Sequence, residues 1–180
     1  MVSRMEEQLF NPFEDRLSRD IRNELSEGLA LAIQSGSLEK LANIVGKYRE
    51  RRLARCYTAY IDDRYARYEQ ALAVILPGIT DPIHQGLILW DLGLYFEVHE
   101  VLEQAWYSAK GRTKLTMQAL IRAAGVYIKR EYGFQEAAAR IAAKSIPVLE
   151  ENRALLETYF QPDKLISALA SPDTPPPRLL

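Results

Sequence analysis

Cysteine and histidine are scarce in this chain: 180 residues hold one cysteine, Cys56, and two histidines, His84 and His99. A lone cysteine forms no intramolecular disulfide and implies no secretory framework, so Cys56 reads as a small buried hydrophobe. Two histidines exclude a His-rich metal site. A bound cation would rely mainly on carboxylates, which suit hard ions better than zinc or copper. An excess of positive charge is missing too. The net charge of −1 argues against a protein that holds nucleic acid through its overall field. No apolar run approaches the ~18 residues of a membrane span, and the opening MVSRMEEQLFNPFEDR lacks the apolar segment of a signal peptide. These absences place the chain in the cytoplasm, away from membranes. No Ser or Cys nucleophile with its base, no phosphate-binding glycine loop and no nucleotide fingerprint is recognisable.

What is present suits a globular protein. Apolar residues make up 48% and charged residues 26%, an ordinary balance, and a chain of this length buries roughly two-thirds of its unfolded surface. No disulfide or metal is needed to hold it together.

The periodicity is helical throughout, with no segment that alternates like a strand. Residues 1 to about 14 form a lead-in whose Phe10, Pro12 and Phe13 are available to dock. Leu17, Ile21, Leu25, Leu29 and Ala32 recur at three- and four-residue spacing and predict a helix over 15–34. Gly36 stops it, and Ser37 is placed to cap a second helix carrying Leu38, Leu41 and Tyr48. Residues 47–70 read as a further long helix. Pro77-Gly78 and Asp81-Pro82 mark a break, with Asp81 the N-cap and Pro82 the first residue of a helix to Leu92. That break divides an N-terminal helical extension, 1–80, from a helical domain, 81–170. Gly93 ends the helix, and the Lys110-Gly111-Arg112 turn with Thr113 as cap opens another to about Tyr132. Beyond Gly133 lie an alanine-rich helix that Pro147 kinks or restarts, a last long helix ended by Pro162, and a short helix to Ala170. Residues 171–180, SPDTPPPRLL, read as a disordered proline-rich tail. The fold class is all-α: stacked antiparallel helix hairpins in a multihelical bundle, with tetratricopeptide-like packing as an analogy and no sheet.

Two stretches carry possible chemistry. In 47–70, seven basic residues, four acidic residues and five tyrosines are interleaved. Arg and Tyr in that mixture could track a phosphate backbone and stack bases. They equally suit a helix whose Arg stems lie over apolar surface and whose Tyr rings fill a core. The second stretch, Tyr95 to Trp106, reads YFEVHEVLEQAW. On a helical wheel of about 100° per residue, Glu103 falls about 40° from His99, Trp106 about 20° and Tyr95 about 40°, while Glu97, Glu100 and Gln104 point away. His99 and Glu103 thus share one turn of a face rich in aromatics, where an ordinary amphipathic helix would carry Leu or Ala. The two could satisfy each other as a buried knot that fixes helix register. They could also form a site, with His99 as ligand or general base, Glu103 as orienter or co-ligand and Trp106 as an apolar wall. No metal signature is complete: H-E-x-x-H needs a histidine where Glu103 stands. A hairpin partner helix would bring Gln118 or Arg122 opposite, so the candidate polar site is His99, Glu103, Trp106, Tyr95, Gln118 and Arg122.

From about Ile83 to Ala143 the chain resembles the family known as domain of unknown function 309. The resemblance rests on W-x-L-G-x-Y-F-E-x-H-E-x-L-E-x-x-W, here Trp90, Leu92, Gly93, Tyr95, Phe96, Glu97, His99, Glu100, Leu102, Glu103 and Trp106, followed by Q-A-L-I at Gln118 to Ile121. It implies a compact all-α fold and names no activity or cofactor. The expected function is a helical interaction module that binds a protein or peptide, or nucleic acid through 47–70, with the His-Glu-Trp cluster structural. The alternative is a small-molecule or metal-assisted hydrolase-like enzyme centred on His99 and Glu103.

Overall fold

The computed structural model describes residues 9–180; the opening of the lead-in, residues 1–8, lies outside the described residues. Among the described residues there are nine helices and no strand. None of these helices is long and apolar enough to cross a membrane. The chain divides into two compact units, the first running to Leu72 and the second starting at Ala73.

In the first unit, α1 (Arg16–Ser35) starts where the Asp15 carboxylate accepts the Leu17 and Ser18 N–H groups, and stops at Gly36, whose φ of 69° suits a residue without Cβ. α2 (Glu39–Arg49) packs back on α1. Gly28 permits the approach: a Cβ there would stand 2.9 Å from Ile44 Cδ1 and 3.2 Å from Leu41 Cδ1. Ile21, Leu25, Leu29, Leu41, Val45 and Tyr48 are buried. The lead-in does dock an aromatic, since Phe10 stacks on Tyr60 at 3.6 Å between ring centres and meets Tyr57 edge-on. The long helix expected over 47–70 is not continuous. α2 ends at Arg49, residues 50–54 form a turn, and α3 (Arg55–Ile75) follows.

In the second unit, α4 (Pro82–Asp91) begins as expected, with Asp81 accepting the Ile83 N–H at 3.1 Å and proline in the first turn. Gly93, at φ 70°, turns the chain into α5 (Tyr95–Ser108). α6 (Gly111–Glu131) starts at Gly111 itself rather than after a Thr113 cap, and Gly133, φ 80°, leads to α7 (Gln135–Glu151). Consecutive members of α4 to α7 pack on one another, and connections this short make them antiparallel hairpins. The hairpins close on small residues. A Cβ on Gly86 would meet three Leu102 atoms at 3.1 to 3.2 Å, and the buried Ser145 hydroxyl of α7 donates to the Ala119 carbonyl of α6 at 2.8 Å.

Three expectations fail in the C-terminal part. α7 continues through Pro147 without restarting: that residue and Ala143, whose carbonyl loses its partner, are both exposed, where solvent can satisfy the carbonyl. The last long helix is instead a single turn, α8 (Arg153–Leu156), because the buried Asn152 side chain donates to the Val148 carbonyl at 2.8 Å and ends α7. Pro162 then opens α9 (Pro162–Ala170), its missing N–H costing nothing at a first helical position. The tail is not free. Leu179 is buried and the segment is tied to Trp90, Asp91 and Arg130 by hydrogen bonds that its proline content did not announce.

Candidate functional site

The helix α5 carries the cluster, but its buried face is rotated from the one the wheel centred on His99. Leu94, Glu97, Val98, Val101 and Leu102 are buried, whereas Tyr95, His99, Glu103 and Trp106 are only half-buried. The reason is the partners of α5: α4 and α6 cover the Leu94-Val98-Leu102 side, leaving the histidine side at the margin. The carboxylate that enters the core is Glu97, expected to point away and in fact 0% exposed.

At the margin, His99 Nδ1 faces two carboxylates. Glu103 Oε2 lies 3.7 Å away, one helical turn on as expected, and Glu100 Oε1 lies 3.6 Å away. Glu100 was expected elsewhere on the helix, but a side chain of its length reaches back across about 100° of arc. Both separations exceed a hydrogen bond, and Nδ1 is shut off from solvent with no hydrogen-bond partner. One donor atom each from His99, Glu100 and Glu103 falls within 4.8 Å of the others, a spacing that could hold a metal ion. Phe96 lies nearly parallel to the imidazole at 6.2 Å.

Trp106 stands next along this flank. The Lys114 ammonium of α6 sits over its ring at 4.1 Å, and Tyr107 packs against its edge and is 72% exposed. Lys114 was missed from the sequence, though a cation in the first turn of the following helix is a usable signal for a tryptophan near the end of the preceding one. Tyr95 turns the other way, into an aromatic group with Trp90 at 5.1 Å and Tyr127 at 5.5 Å. Burial holds the Tyr127 hydroxyl above its usual pKa, so it is neutral. Gln118 and Arg122 are half-buried on α6, and no hydrogen bond or ion pair joins either to His99 or Glu103. The geometry thus brings together His99, Glu100, Glu103 and, beside them, Trp106 with Lys114 and Tyr107.

Part of the basic stretch of the first unit is paired internally, while Arg51, Arg52 and Arg55 are exposed. Lys47 pairs with Glu24, Arg49 with Asp62 at 3.0 Å, and Arg67 with Asp63 at 2.9 Å. Arg64 is buried over the Tyr60 ring, and Tyr48, Tyr57 and Tyr68 are buried. Burial, and then the neighbouring Glu24, push the Tyr48 pKa up.

No curated protein and no solved structure matches the chain. The motif that spans the end of α4 and the whole of the α5 flank does have a counterpart: residues 83–141, from α4 into α7, match the family model of DUF309, a domain of unknown function.

Proposed function

We propose that the chain is a cytoplasmic helical interaction module and that the outer flank of α5 is the surface it presents to a protein or peptide partner. The observation that carries this reading is exposure. His99, Glu100 and Glu103 keep 35%, 29% and 44% of their side chains in solvent, and Tyr107 beside them is more exposed still. A knot made to fix a helix would be closed off, and the Trp106 and Tyr107 rings beside the cluster are of the residue types that anchor partners. The pairing of Lys47, Arg49 and Arg67 with carboxylates, together with the net charge of −1, favours a protein or peptide over nucleic acid.

The thermal midpoints of His99→Gln and Glu103→Gln test the reading. Both should melt within about 2 °C of the parent, because groups this exposed contribute little to stability. A fall matching roughly 1 to 3 kcal/mol in each, at about 2 to 4 °C per kcal/mol for this size, would make the cluster structural and overturn the proposal.

The donor spacing around His99 favours a second reading, a hydrolase-like centre assisted by a hard cation. Mn²⁺ should then raise the melting temperature of the parent in a concentration-dependent way and leave Glu103→Gln unmoved. Equal responses of the two proteins would remove this second reading and leave the first standing.

A further inference from the structure

The C-terminal residues lie outside any helix, and they are held chiefly through their main chain. The Trp90 indole N–H donates to the Pro177 carbonyl at 2.9 Å. The Asp91 carboxylate accepts the Leu179 N–H on Oδ1 at 2.7 Å and the Leu180 N–H on Oδ2 at 3.0 Å. Trp90 and Asp91 are consecutive at the end of α4, so one helix terminus binds a carbonyl and two amides of a single segment. The Asp91 side chain is 8% exposed; stripped of these partners in so closed a place, a carboxylate is costly. The Leu179 side chain is buried and lines a depression with Tyr159, Phe160 and Pro162. Arg178 between them is 83% exposed and only skirts Asp91 at 3.7 Å.

These contacts ask little of a sequence. They require a residue whose carbonyl is presented without competition from a helix, one leucine two positions later, and free main-chain N–H groups; the intervening side chain faces water. Proline at the first position pre-sets the backbone and lowers the ordering cost. The receiving surface is stiff, since Trp90 is also packed edge-on against Tyr95 and Tyr127 at 5.1 and 5.4 Å.

We propose that this groove is a docking site for non-helical Pro-x-Leu peptide segments, and that residues 177–179 occupy it intramolecularly and set the threshold a partner must exceed. The tether is short. Arg130 fixes its start by donating to the Leu169 and Thr174 carbonyls at 3.2 and 3.3 Å, so the tail competes at an effective concentration of order millimolar or more. The proposal concerns a different surface from the α5 flank and stands whether or not that flank binds a partner.

Fluorescence anisotropy with the labelled, C-terminally amidated peptide Thr-Pro-Pro-Pro-Arg-Leu-Leu tests it in the full chain. Leu179→Asp should expel the tail and bind the peptide at least about tenfold tighter than the parent, as removal of a tethered competitor requires. Adding Asp91→Ala to Leu179→Asp should abolish the gain. Binding by Leu179→Asp no tighter than by the parent, or a gain that survives Asp91→Ala, overturns the proposal. Should Leu179→Asp unfold, the milder Leu179→Ala gives the same comparison. Light scattering that finds a parent dimer broken by Leu179→Asp would assign the groove to the tail of a second copy and overturn the intramolecular assignment.

Discussion

Glu97 is fully buried in α5, while His99, two residues on, keeps about a third of its side chain in solvent. The two residues were legible from the sequence as ionisable groups on one helix, and their roles were not. A wheel fixes relative angles, but which arc is covered depends on where the neighbouring helices lie. Glu97 is therefore the carboxylate buried in the core, and His99 and Glu103 lie at its margin. Replacing Glu97 by Ala should lower the thermal midpoint by several degrees, from roughly 1 to 3 kcal/mol of lost buried polar contact. His99→Gln beside it should barely move. Differential scanning calorimetry on the pair checks this, and comparable shifts in both would contradict it. The Glu100 contact with His99 was illegible for a simpler reason: side-chain reach exceeds what angular position alone records.

The helices repeat the lesson at larger size. Of the caps read from the sequence, Asp81 on α4 accepts a main-chain N–H group as its position promised, while Asp15, expected inside the first helix, caps α1 from just before it. Asp15 does more, accepting from the Ser18 hydroxyl at 2.7 Å and the Tyr57 hydroxyl at 2.8 Å, so that it joins the start of α1 to α3. The Ser18 hydrogen bond foremost holds its carboxyl below the ordinary value. A lowered folded pKa means the stabilisation is present above the unfolded carboxylate range and is lost as pH falls through the folded value. Asp15→Ala should therefore cost about 1 kcal/mol at neutral pH. The gap to the parent should close below about pH 4, the ordinary carboxylate range, in urea titrations run at both pH values. A gap that persists unchanged in acid would mean the cap acts through something other than its charge. Prolines were less readable than caps. Pro147 was expected to kink or restart a helix and lies within a continuous one on the solvent side, whereas Pro162 was expected to end one and begins one. A proline restricts its own φ and removes one donor, and whether that breaks a helix depends on what satisfies the carbonyl left behind.

For the whole chain, each unit holds its own core and the second also gathers the C-terminal residues onto α4. Asp91→Ala should release them. The Leu179 and Leu180 amides, slowed in hydrogen exchange by the Asp91 carboxylate, should then exchange at rates near those of an open chain, while amides in the middle of α6 keep their protection. Unchanged exchange at Leu179 would mean the tail is held without Asp91. What the sequence by itself determined was the helical class and most helix starts, because these depend on periodicity, glycine positions and capping chemistry within a few residues. It also carried the DUF309 motif, a local string. Only the tertiary structure decided which face of α5 is covered, which arginines are spent on internal pairs and that the proline-rich tail is bound. Each of these depends on groups far apart in the chain: Leu179 meets Asp91 only because α4 ends where α9 and its tail return, and no local rule encodes that return.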